Sequence, residues 1–471
     1  MRLIYAVLAV AALISGCAST GDWSSDTPAR GNSKSSKVTR VNLKNQSVSK
    51  VYAPSDNLWI RIRDGFQMEP MNSPLEIEQV RWLSARPDYV NRSMTRSSRY
   101  LFYIVQEVNA RNMPTEIALL PFVESAFVTN AKSNAKAVGL WQFMPATGKD
   151  FQLTQNVFRD ERKDILQSTD AALDYLQRLN NQFGSWELAL AAYNWGAGNV
   201  SKAQKRNLAA GLPTDYESLT LPLETRMYVP KLMAYRQIVL DPQAYGIVLP
   251  ELENHPYFVA VDVGNDIDVA LAIKLAEIPS DEFYSLNPSF NKPVILSNAN
   301  QQILLPFGHA EIFQENLKKY TKPLSSWTAV RVAKTESVDQ TAKTLGVDAD
   351  ALRQVNGIPK GMRIKTGSTV LIPKTGNRSG DVSSAMADNA SLSLEKPPPP
   401  QPKCPKPTKG SKGAKTAKCA PPKGVKAVEA ASTKGNSSGK NAASQHKSAS
   451  TGLAKSAKNG NSTPSTKKAS N

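Results

Sequence analysis

Glu124 is the acid in this chain whose setting best suits proton transfer. It stands alone among Leu119, Leu120, Phe122, Val123 and Phe127. Inside a buried helix face, desolvation would lift its carboxyl pKa toward neutrality, as a general acid requires. A second reading of the same segment stays open: a glutamate at a helix end, facing solvent or a salt bridge. Asp150, Asp160 and Glu161 fall in polar stretches that read as solvated loop. His255, His309 and His446 are scattered, no HExxH occurs, and Cys17, Cys404 and Cys419 lack zinc-site spacing, so neither a metal nor a cofactor is expected. Gly196-Ala197-Gly198 follows a helical pattern and lacks a third glycine. It reads as a helix stop and not as a dinucleotide loop.

The elements that must position Glu124 are helices. Leu101, Ile104, Val105 and Val108 recur at i, i+3, i+4 and i+7, which predicts an amphipathic helix over 100–112. Leu173, Leu176, Leu179 and Phe183 mark a second helix, with Ser168 or Thr169 as its cap. Trp186 to Tyr193 reads as a third, short and apolar on one face. Residues 57–245 therefore read as one mostly helical domain that opens with a helical extension.

The next region repeats. Tyr257 begins a β-branched run, a helical stretch follows, then Asn287 and an apolar run ending at Pro306. Trp327, Asn356 and Pro373 mark the same order 70 residues later. Each unit, 257–307 and 327–374, reads as a small β-α-α-β module.

Composition bounds the two ends of the 471-residue chain. The formal net charge is +18, but residues 401–471 hold fifteen Lys against one acid, Glu429. The remaining 400 residues carry only about +4, so the folded part does not look like a nucleic-acid binder. Residues 377–471 are rich in Lys, Ser, Ala and Pro and read as a disordered basic tail. Two readings of it stay open: a solvated extension with no target, or a segment that holds anionic wall groups or lipopolysaccharide phosphates through salt-sensitive attraction. At the other end, Arg2 and the apolar run from Leu3 to Leu13 read as a secretory signal over 1–16. The Ile14-Ser15-Gly16-Cys17 ending resembles a bacterial lipobox. That implies acylation of Cys17 and an outer-membrane lipoprotein facing the periplasm, where Cys404 and Cys419 could pair. Residues 17–56, rich in Ser, Asn, Thr and Lys, read as a flexible tether.

Five motifs fall in order across residues 90–240: Glu124-Ser125, Ser133, Gly139-Leu140-Trp141-Gln142-Phe143, Ala192-Tyr193-Asn194 and Glu224-Thr225-Arg226-Met227-Tyr228-Val229. Together they resemble the soluble-type lytic transglycosylases, which are similar to goose-type lysozyme. The repeat resembles LysM modules, which bind N-acetylglucosamine polymers. The 257–307 unit is the more degenerate, with Gly264-Asn265-Asp266-Ile267 where a Gly-Asp-Thr-Leu run is usual; the second unit has Lys334-Thr335-Glu336-Ser337-Val338 there. The resemblance implies a mainly α, lysozyme-like α+β catalytic domain followed by βααβ modules, with peptidoglycan glycan strands as substrate.

It also implies a mechanism with one carboxylate. Glu124 would protonate the oxygen between MurNAc and GlcNAc. It would then take the proton of the C6 hydroxyl of the same MurNAc as that oxygen attacks C1, leaving a 1,6-anhydro end. The internal nucleophile replaces the second carboxylate that glycosidases generally need. By motif position, Ser133, Gln142 and Asn194 would hydrogen-bond the sugar, Tyr193 would line its groove, and Tyr228 would orient Glu124. Ser125 is grouped with the substrate-binding residues, its alternative being a helix cap; Tyr193 has core packing with a satisfied hydroxyl as its alternative; and Trp141 is either core or sugar platform. Two other functions remain to be separated: a hydrolytic muramidase, and a non-catalytic lipoprotein that tethers membrane to wall.

Overall fold

The computed structural model describes residues 57–398 apart from 300, 301 and 377. The helical domain starts with α1 (Leu58–Asp64), α2 (Pro74–Ser84), α3 (Pro87–Ser97) and α4 (Leu101–Ala110). A 3-10 turn over Thr115–Leu119 leads directly into the short α5 (Leu120–Glu124). Then come α6 (Pro145–Asp150), α7 (Ile165–Phe183), α8 (Trp186–Trp195), α9 (Ala197–Ala209), α10 (Leu223–Arg226) and α11 (Tyr228–Leu240). The expected stripe of α4 is fully buried. α8 stops at Gly196, whose φ of +95° suits a residue without Cβ.

The cap of α7 is a correction. Asp164, not Ser168 or Thr169, caps the helix, its carboxylate accepting from the amides of Leu166 and Gln167 at 3.0 Å each. Ser168 and Thr169 are buried one turn further on. Thr169 instead accepts a 3.0 Å hydrogen bond from the Trp141 indole.

Each repeat is built on an antiparallel ladder. β1 (Phe258–Asp262) pairs with β4 (Gln302–Pro306), and β2 (Ile267–Asp268) pairs with β3 (Val294–Ile295). They enclose α12 (Val269–Ala276) and α13 (Ser280–Leu286), and α14 (Phe307–Lys319) follows. In the second unit β5 (Trp327–Arg331) pairs with β8 (Thr369–Pro373), and β6 (Glu336–Ser337) with β7 (Arg363–Ile364), around α15 (Val338–Leu345) and α16 (Ala349–Asn356). The repeated asparagine has a structural reason. Asn287 donates to the carbonyls of Phe283 and Leu304 and accepts from the Leu304 amide, all within 3.0 Å. Asn356 does the same with Leu352 and Leu371. In both units one buried amide, fully satisfied, staples the second helix to the last strand.

Two expected boundaries shift. The first module continues past 307, because α14 buries Ala310 and Phe313 in that module's core. The tail does not begin at 377. Residues 378–398 form a strap with α17 (Ser384–Asp388) and β9 (Leu394–Glu395), and β9 adds to β7 as a third strand. Val382, Ala387 and Ala390 are buried together with Phe158, Leu296 and Leu371. These apolar residues are few and small, so composition hides them, but they fill a gap lined by distant parts of the chain. Asp266, in the stretch that departs most from the LysM pattern, accepts from the amides of Ser297 and Val382 and so holds the strap. The signal segment, Cys17, the tether and residues 401–471 with Cys404 and Cys419 lie outside the described residues. No described helix is long and apolar enough to cross a membrane.

The first module rests on the helical domain. Arg99 pairs with Glu282 at 2.7 Å, the Tyr100 hydroxyl donates to the Ser285 carbonyl at 2.9 Å, and Tyr103 packs on Phe258.

Candidate active site

Glu124 is the last residue of α5. The expectation that it lies within a helix face is corrected: it occupies a helix end, yet it does not face a salt bridge. Beyond it, Ala126 (φ +48°) and Phe127 (φ +57°) are left-handed, so the chain reverses at once. Such backbone costs about 1 kcal/mol or more per residue and gathers at functional sites. Four of the non-glycine residues with positive φ, Ala126, Phe127, Lys136 and Gln142, fall in this one segment.

Glu124 is half-buried, and its carboxylate accepts a hydrogen bond from the Tyr228 hydroxyl at the start of α11. Burial pushes its pKa up to about 7; the Tyr228 hydrogen bond opposes the shift, and the charge of Glu224 adds to it. Tyr228 is itself buried, which holds its phenol well above the ordinary range, so it remains the donor. A carboxyl poised near 7 is populated in both protonation states at neutral pH and can serve as acid and as base.

Residues 131–143 form a flap that meets Ser125, just past the end of α5. Val138 bridges Lys132 on one side and Phe143 on the other. Two side-chain contacts beside Glu124 bind the flap to the rest of the site. Ser125 Oγ donates to the Leu140 carbonyl at 3.0 Å. The Tyr193 hydroxyl on α8 donates to the Trp141 carbonyl at 2.8 Å. Within the flap, Gln142, itself at φ +48°, donates to the Gly139 carbonyl at 2.8 Å. Trp141 is wholly buried with its indole on Thr169, so of its two expected roles the core is the one realised.

These bonds bring Glu124 and Tyr228 together and set Ser125 and Tyr193 on neighbouring carbonyls of the flap, which also carries Gln142; the described bonds of Gln142 stay within the flap. Asn194 joins at one remove: its Oδ1 accepts from Thr225 at 2.8 Å, three residues before Tyr228, and its amide NH2 has no described partner. Ser133 accepts from the Ala137 amide at 3.0 Å within the flap's own turn, and no described contact links it to Glu124. Asp160 and Glu161 are not solvated loop. Asp160 pairs with Arg162 at 2.7 Å and Glu161 with Arg159 at 3.0 Å, all four side chains largely buried. Glu224 stands in the last of the five motifs with no role assigned there, and its charge reaches Glu124. One residue escaped the sequence reading. Arg162 is buried and anchors the flap, but nothing in its polar local sequence marks it. Among the described residues no three His, Cys, Asp or Glu side chains converge as a metal site. A separate open pocket of about 470 Å³, lined by Phe102, His255, Tyr257 and Phe307 among others, contains none of the site residues.

Comparison with known proteins matches this architecture. Residues 103–211 match the transglycosylase SLT domain, and residues 257–322 match the LysM-like domain of lytic transglycosylase MltD. The second match includes α14, in keeping with the longer first module. An inactive variant of lytic transglycosylase Slt from Pseudomonas aeruginosa is 27% identical over 30% of this chain and 24% of that chain, with a TM-score of 0.24. The membrane-bound lytic murein transglycosylase D of Escherichia coli, from strain K12 and from strain O6:H1, is 33% identical over 385 residues, 78% of this chain and 84% of the relative. With a relative of that identity matched over most of its length, this chain belongs to the membrane-bound lytic murein transglycosylase D family.

Proposed function

We propose that Glu124 alone supplies the acid and the base of a peptidoglycan lytic transglycosylase. The chain is a lytic transglycosylase of murein. In our reading the protonated Glu124 gives its proton to the glycosidic oxygen between MurNAc and GlcNAc as the bond to C1 breaks. The resulting carboxylate takes the proton of the MurNAc C6 hydroxyl as O6 bonds to C1. One proton leaves Glu124 and one returns, one C–O bond breaks and one forms, and no water is consumed. The products are a 1,6-anhydroMurNAc end and a free GlcNAc 4-hydroxyl. Holding O6 beside C1 replaces a second carboxylate by effective molarity.

The observation that carries this reading is a half-open carboxyl near pKa 7 whose described hydrogen-bond partner is one phenol. Tyr228 steers the carboxylate. Tyr193 holds the groove wall through the Trp141 carbonyl, and Ser125 holds the flap through that of Leu140. The amide NH2 of Asn194, the Oε1 of Gln142 and the hydroxyl hydrogen of Ser133 are left to the sugar and its N-acetyl groups. Acylated Cys17 would hold the enzyme on the outer membrane facing the periplasm, and the basic tail would add anionic contacts.

The test is digestion of purified sacculi, with released muropeptides read by mass spectrometry. Ends one water lighter than reducing muropeptides are expected. Reducing ends would replace the reading with hydrolysis by a muramidase. Binding without release would replace it with a tether.

A further inference from the structure

We propose that Arg162 is a positioning residue for this reaction, a clamp that ties the flap beside Glu124 to the surface on which the first module and the strap dock. The inference rests on the reading of Glu124 given above. Arg162 is 8% exposed, unusual for arginine, and each of its three guanidinium nitrogens is hydrogen-bonded. Its Nε and Nη2 grip Asp160 at 2.9 and 2.7 Å. Its Nη1 donates to the carbonyls of Lys136 and Phe143, at 3.1 and 3.3 Å, the two ends of the hairpin that carries Gly139 to Gln142. The backbone meets the flap as well. At Gly139 (φ +86°) a Cβ would lie 2.2 Å from the Arg162 carbonyl oxygen, so the two chains touch where only glycine fits.

The other side of the clamp is held by remote parts of the chain. The Asp160 amide donates to the Ser289 carbonyl at 2.9 Å, and the Asn291 amide to the Phe158 carbonyl at 2.8 Å. Asn156 Nδ2 donates to the Ala387 carbonyl at 3.0 Å, and the Val157 amide to that of Ala390 at 3.3 Å. The loop that carries Arg162 is thus clasped by the first module and by the strap. Its guanidinium then passes that placement to the flap, whose Leu140 and Trp141 carbonyls receive Ser125 and Tyr193 beside Glu124. Lysine cannot reproduce this role, because it lacks the planar fork that meets a carboxylate and two carbonyls at once.

The test uses Arg162→Met, Arg162→Lys and Gly139→Ala in the full chain, with sacculus turnover followed across pH and thermal unfolding measured in parallel. Arg162→Met is expected to lower kcat about 10- to 100-fold, the scale of a small misplacement of a reacting group. Arg162→Lys should lose less, and Gly139→Ala should reproduce the defect from the flap side.

The pH profile gives the readout that a purely structural role would not move. A loosened flap admits water to Glu124 and relieves its desolvation. The alkaline limb of kcat/KM, expected near 7, should then move to lower pH. Loss of a distant positive charge alone would move it the other way. The groups facing Glu124, namely Tyr228 and Lys231 of α11, Glu224 of α10 and Tyr193 of α8, stay unchanged in all three variants. If Arg162→Met does not fold, Arg162→Lys and Gly139→Ala decide the matter. Folded variants with wild-type kcat and an unmoved limb would overturn the proposal, as would lowered stability with an unmoved limb in the remaining activity. Glu124→Gln serves as the control. If it still cleaves, the reading of Glu124 has failed; if it is dead while folded Arg162 variants behave as wild type, the clamp alone has failed.

Discussion

Two glutamates stand eight residues apart, one fully and one half-buried, and they do opposite things. Glu116, in the 3-10 turn before α5, is fully buried. Its carboxylate accepts from the amides of Gln67 and Met68 at about 3.0–3.1 Å and from Arg236 Nε at 3.1 Å. Burial raises its pKa, and those bonds pull back against the rise. Glu124 is less buried by surface area, yet it has one phenol for a partner and a pKa near 7. Burial alone therefore does not make a proton donor. What separates the two is satisfaction: Glu116 is saturated with donors and holds the start of the domain together, whereas Glu124 keeps hydrogen-bonding capacity for a substrate.

The contrast can be broken at either residue. Glu124→Gln should lower wall cleavage by about 10²- to 10⁴-fold while folding normally, measured as muropeptide release. An active Glu124→Gln would remove the catalytic half of the comparison. Glu116→Gln should do the reverse. It leaves Arg236 without its anion, so urea unfolding at neutral pH should show a loss of about 3–5 kcal/mol. Turnover per folded molecule and its pH limb should not change, and a moved limb would mean that the two acids are linked.

Smaller effects sharpen the contrast. Tyr228→Phe removes the hydrogen bond that favours the ionised form of Glu124. The alkaline limb of kcat/KM should therefore move to higher pH, while kcat falls about tenfold for want of orientation. A limb moving to lower pH would contradict the assigned role of the phenol. The smallest effect is on stability. The folded pKa of Glu124 lies above the ordinary 4.5, so its contribution is fully present below that value and is lost as pH rises through about 7. Wild type should thus lose about 1–3 kcal/mol relative to Glu124→Gln between pH 4.5 and pH 8 in matched unfolding curves. Parallel curves would show that Glu124 is not desolvated in the folded state.

Much of this molecule can be read along the chain. The i, i+4 stripe of α4, the stop at Gly196, the twice-used asparagine and the apolar frame of Glu124 are relations among near neighbours, and near neighbours set helix periodicity and capping. The order of the five motifs is likewise a property of the chain alone. Other features depend on residues brought together from afar. Tyr228 meets Glu124 across 104 positions. Asp164 outcompetes Ser168 and Thr169 as a cap, and Thr169 then anchors Trp141. The strap finds its place because Val382, Ala387 and Ala390 fill a gap that no local composition reveals. Arg162 sits in a polar stretch that resembles loop and is instead among the most enclosed arginines of the fold. The division has one physical cause. Periodicity and capping act over a few residues, whereas a pKa, a buried ion pair or a filled gap depends on desolvation and on partners that only packing supplies.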